Sequence, residues 1–149
     1  PFAMWFGFWG LVMGFIGTTV GAGILSGLPV PVALLFGIGD VVLYGSLLLL
    51  YRGLAPRFKV DPIGRDVFTR RGFIYFFIVA ANIPQILGGI WGVGVLYVFG
   101  FVPPEALGIT LLGFWLGNVI VVTVISPILL KFLGPVVERF GLTNHGWLT

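Results

Sequence analysis

Residues 52–72 read RGLAPRFKVDPIGRDVFTRRG, with Arg52, Arg57, Lys59, Arg65, Arg70 and Arg71 set against Asp61 and Asp66, and the sequence on either side is almost continuously apolar. A dense basic segment between long apolar runs marks a polytopic membrane protein, and the positive-inside rule makes that segment a cytoplasmic loop. Within it, Asp61-Pro62 reads as a helix start, which predicts a short surface helix over 62–69.

Working outward, a span over about 31–51 precedes the loop and is apolar except for Asp40 and Ser46. Upstream of Pro29 and Pro31 lies a first span over about 2–28, long enough to cross a hydrocarbon core of about 30 Å. Gly10, Gly14, Gly17 and Gly21 recur there at steps of four, three and four. That spacing predicts a smooth stripe for packing against another helix.

Downstream, a third span over about 73–99 contains Asn82, Pro84 and Gln85, and Pro84 predicts a kink. The turn over 100–105 carries no basic residue and is expected outside. A fourth span over about 105–130 ends at Lys131, so all eight basic residues fall on one side. Residues 132–149 form an interfacial tail with an amphipathic segment over 135–140. The fold class is therefore all-α, a polytopic bundle of about four membrane-spanning helices making one membrane domain over 1–149 in the cell membrane. The chain opens at Pro1 directly inside apolar sequence, so helices upstream of it are expected.

Composition excludes several function classes. The chain is 58% hydrophobic and only 9% charged, against about 25% charged in soluble domains, and its mean hydropathy is +1.13. The net charge of +3 resides in loops flanking apolar spans, which is a topology signal and argues against nucleic acid as a partner. Without cysteine, and with His145 as the one histidine, neither a disulfide framework nor a histidine-cysteine metal site is expected. No phosphate-binding Gly-Lys-Ser/Thr loop, nucleophile elbow or His-Glu-x-x-His motif is present, so no catalytic residue, metal or cofactor is expected.

Chemistry in such a chain concentrates in the few polar residues inside the spans. An ionisable group near mid-bilayer is expensive and marks a ligand or proton site by default. Asp40 is that group, and its alternative role is a carboxylate bonded within the bundle to Tyr, Thr or Arg or solvated near the interface. Asn82 and Gln85, three residues apart, share a helix face and either hold a polar solute or join helices by hydrogen bonds. Trp115 and Asn118 supply an aromatic ring beside an amide, a common pocket lining. Trp91 sits among glycines at comparable depth. Trp5, Trp9 and Trp147 read as interfacial anchors. The expected small-molecule pocket is thus bounded by Asp40, Asn82, Gln85, Trp91, Trp115 and Asn118, and it opens to the outside.

Two stretches carry resemblances to known families. The run WFGFWGLVMGFIGTTVGAGILSGLPVP over 5–31, with FGIGDVVLYGSLLLLYR over 36–52, resembles the Gly-rich paired helices of substrate-binding S components of energy-coupling-factor vitamin transporters. The run GVLYVFGFVPPEALGITLLGFWLGNVIVVTVISPILL over 94–130 resembles the last helices of MASE1-type membrane sensory domains, with Asn118 where an acidic residue is usual. The first resemblance implies small-solute uptake powered by partner membrane subunits, in a fold of six helices. The second implies a sensory input domain of about eight helices feeding a cytoplasmic output. A third expectation is an accessory subunit whose glycine faces pack into a larger membrane complex. All three share membrane lipids and other membrane subunits as partners, and only the first two require a small ligand.

Overall fold

The computed structural model describes residues 1–144; Trp147 and His145 lie outside them. Among the described residues the chain is entirely helical, and four helices are long and apolar enough to cross a membrane: α2 (Phe8–Ser26), α3 (Val30–Phe58), α4 (Arg70–Val98) and α5 (Pro104–Phe132). Two short helices flank them, α1 (Phe2–Phe6) and α6 (Gly134–Arg139). The chain is a multi-pass membrane bundle, and the last short helix falls in the predicted tail.

The spans differ from the sequence expectation in three places. The predicted first span is broken at Gly7, whose φ of 56° is open to glycine, and α1 folds back so closely that a Cβ on Gly10 would lie 2.5 Å from the Ala3 Cα. Trp5, read as an interfacial anchor, is instead 2% exposed and packs with Tyr51, Val67 and Phe76 in the core. Trp9 is 65% exposed, as an anchor would be. Finally, residues 62–69 form successive turns rather than a helix. The Asp61 carboxylate accepts from the amides of Ile63 and Arg65, stabilising a tight turn that competes with helix growth.

The basic loop is shorter than its charges suggested. α3 continues through Arg52 and Arg57 to Phe58, where Lys59 turns the chain at φ 52°. Thr69 then caps α4, its Oγ1 accepting from the Gly72 amide at 3.0 Å. Arg65 makes a bidentate pair with Glu138 of α6 at 2.7 and 2.9 Å, which holds its guanidinium above the usual range. The Lys131 Nζ lies 4.9 Å above the Phe68 ring. The loop, the end of α5 and α6 therefore gather at one end of the bundle, bringing all the basic residues together there.

Spans packed in sequence order form the bundle. α2 lies on α3, α3 on α4 and α4 on α5, while α2 and α5 share no extensive interface. α3 and α4 cross closely, where Cβ atoms on Gly39 and Gly88 would each meet the other's carbonyl oxygen, at 3.4 and 3.2 Å. Glycine allows that approach because it brings no side chain. In α2, Gly14 faces the Tyr44 ring, but Gly17 and Gly21 face open space. The predicted four-glycine stripe is therefore only half used inside the chain.

Each of the first three spans contains a π-helical segment: Thr18–Gly23, Leu48–Arg52 and Phe76–Asn82. The last ends two residues before Pro84, which lacks an N–H and whose ring crowds the preceding turn. The expected kink is thus expressed as a local widening of the helix.

Candidate functional site

Asp40 lies about 15 Å along α3 from Val30 at 1.5 Å per residue, near the middle of a membrane-spanning helix. Gln85 is similarly deep in α4, and Asn118 is equidistant from Pro104 and Phe132 in α5. These three residues, from three separate spans, line one cavity of about 350 Å³. Its volume is at the small end of the range for small-molecule pockets.

Helical spacing explains which residues reach it. On α4, Gln85, Gly88 and Gly92 line the cavity, and on α5 so do Phe114, Asn118 and Val122. Both sets follow steps of three and four, one face of a helix. Trp91 and Trp115 each stand one residue off that face, about 100° around the helix. Trp91 donates its Nε1–H to the Leu35 carbonyl at 2.9 Å on the outer side of α3. Trp115 is half-buried, and its Nε1 is enclosed without a hydrogen-bond partner.

Asn82 also stays out of the cavity. It closes the π-helical segment, where its Nδ2 donates to the Phe77 carbonyl five residues back at 2.7 Å. That bond turns the Asn82 side chain back along the helix, while Gln85, in the α-helical turn beyond the π-helical segment, reaches the cavity. Of the six predicted pocket residues, the structure brings Asp40, Gln85 and Asn118 together and leaves Asn82, Trp91 and Trp115 outside.

Three polar residues that sequence reasoning passed over, Thr18, Tyr44 and Ser126, complete the lining. Thr18, in the π-helical segment of α2, donates through Oγ1 to Asp40 Oδ2. Tyr44, four residues after Asp40 and so on its face, lines the same cavity. The i, i+4 relation was a signal for Tyr44, whereas nothing local marks Thr18 as Asp40's partner from another helix.

The polarity of the cavity is one-sided. Asp40 is the only charged side chain among its lining residues, and Phe36, Tyr44 and Phe114 supply aromatic surface. Asn118 uses its Nδ2 on the Phe114 carbonyl at 2.9 Å, leaving Oδ1 as its free function. Gln85 is 3% exposed, and its Oε1 is buried without a partner. An unpaired amide oxygen in an apolar setting typically loses about 1–3 kcal/mol, which a ligand carrying an N–H or O–H would restore. Among the described residues no cluster of three metal-ligating side chains occurs.

α1 borders the cavity at the basic end, where Phe2 joins Leu47 and Ser126 in its wall. The opposite end is bounded by Ala22, Phe36 and Gly92. Comparison with protein-family models, with curated proteins and with solved structures finds no match.

Proposed function

We propose that this chain is a solute-binding protein of the cell membrane that holds a small molecule in the cavity between Asp40, Gln85 and Asn118, as the substrate-binding subunit of an uptake transporter. The observation that carries this reading is the convergence of three mid-membrane polar residues on one cavity in which the Gln85 oxygen has no partner.

The lining selects the solute's chemistry. A lone carboxylate beside aromatic faces favours a small organic cation, through charge and cation–π attraction, and repels a carboxylate or phosphate. The Gln85 and Asn118 oxygens add positions for N–H donors. Loop 52–72 faces the cytoplasm by the positive-inside rule, so α1 covers the cytoplasmic side and the solute enters from outside. On this reading the energy for uptake comes from partner subunits.

The second reading, an accessory subunit of a larger membrane complex, is favoured by α5, of whose apolar window only 6% is buried inside the chain against 50% for α4. Native mass spectrometry of the gently extracted protein tests both. A stoichiometric small cation that is lost in Asp40→Asn supports the solute-binding reading. A ligand-free chain locked into an assembly whose activity is indifferent to Asp40→Asn would replace it with the accessory role.

A further inference from the structure

A second, larger cleft lies at the basic end, where the end of α3 meets the start of α4. Its volume is about 720 Å³, and it is lined by Arg57, Lys59, Arg70 and Arg71 together with apolar residues that include Ile74 and Ile78. The positive-inside rule explains why bases occur on this side of the membrane. It does not explain their convergence from two helices onto a single apolar trough.

Three features define what fits there. No acidic residue lines the cleft, and among the described residues the ion pairs are those of Arg65 with Asp61 and Glu138. The four cleft cations are thus left without carboxylate partners, although Asp61, Asp66 and Glu138 lie in the same end of the molecule. The apolar wall follows α4 down into the membrane: Ile74 and Ile78 are one turn apart, 49% and 50% exposed, directly below Arg70 and Arg71. Arginine forks match phosphate oxygens geometrically. The cleft therefore combines phosphate recognition at headgroup depth with an apolar groove running toward the hydrocarbon.

We propose that this cleft binds one anionic phospholipid, its headgroup phosphate held by Arg57, Lys59, Arg70 and Arg71 and an acyl chain lying along Ile74 and Ile78. The site is separate from the solute cavity and does not depend on the function assigned to it.

The test is native mass spectrometry of the purified full chain titrated with phosphatidylglycerol, phosphatidylcholine or inorganic phosphate. One phosphatidylglycerol should be retained at least about tenfold more tightly than phosphatidylcholine, as charge attraction from several surface cations predicts. The triple variant Arg57→Gln, Arg70→Gln, Arg71→Gln should abolish that preference, while Lys131→Gln, a basic residue outside the cleft, should keep it. Equal retention of the two lipids by the wild-type chain would overturn the proposal, whatever the folding of the variants. Inorganic phosphate binding as tightly as phosphatidylglycerol would reassign the cleft to a free anion and remove the acyl groove from the account.

Discussion

Thr18 donates its hydroxyl hydrogen bond to Asp40 across the interface of the first two membrane spans, so the one charged side chain lining the mid-membrane cavity is held by a residue of a neighbouring helix. The bond answers part of the cost of a carboxylate in the membrane. It also separates two roles that substitutions can tell apart.

Thr18→Val should remove the donor and leave Asp40 under-bonded, lowering stability by about 1–3 kcal/mol. Asp40→Asn should behave oppositely, because a mid-membrane carboxylate costs about 2.5–3.5 kcal/mol on insertion scales and the neutral but still polar amide recovers part of that. Thermal melts in neutral nanodiscs should therefore fall for the first variant and rise for the second, while cation binding disappears only with Asp40→Asn. A melt lowered by Asp40→Asn with cation binding retained would show the carboxylate to be a structural bond alone.

The glycines make a matched set of predictions. Gly88→Leu should force α3 and α4 apart where they cross, with overpacking of about 1–3 kcal/mol visible as a lower melting temperature. Gly14→Leu should act similarly against the Tyr44 ring. Gly17→Leu and Gly21→Leu face open space and should leave the isolated chain's melt unchanged. Loss of a larger complex on a native gel with Gly17→Leu alone would identify that face as a docking surface for a partner helix.

Arg52 is 5% exposed and donates to the carbonyls of Met4 and Asn144, at 2.5 and 2.7 Å. It ties α1 and the residues following α6 to the end of α3. Arg52→Ala should cost about 2–3 kcal/mol and open the first residues to limited proteolysis. Both bonds leave the one Nη2 nitrogen, so Arg52→Lys, whose ammonium carries three N–H donors on a shorter reach, should rescue part of the loss.

Because the chain contains no cysteine, its sidedness can be read with single introduced thiols. In intact cells, Phe101→Cys should react with a membrane-impermeant maleimide and Lys59→Cys should not, until the membrane is opened. Labelling in the reverse order would invert the topology and place the solute cavity's α1-covered end outside.

The sequence alone determined the membrane class, the number of spans and the common end of the basic residues, because hydropathy over some twenty residues and loop charge are local quantities that lipid enforces directly. It also singled out Asp40, Gln85 and Asn118, since polar groups are conspicuous in apolar spans. Only the tertiary structure decided which of the six candidates meet. That depended on a rotation of about 100° per residue, on the bond that turns Asn82 back to Phe77, and on Thr18 arriving from another helix. The same holds for Trp5, whose type suggested the interface but which the reversal at Gly7 folds back into the core. Facing and pairing between helices arise from packing, and no single stretch of the chain encodes them.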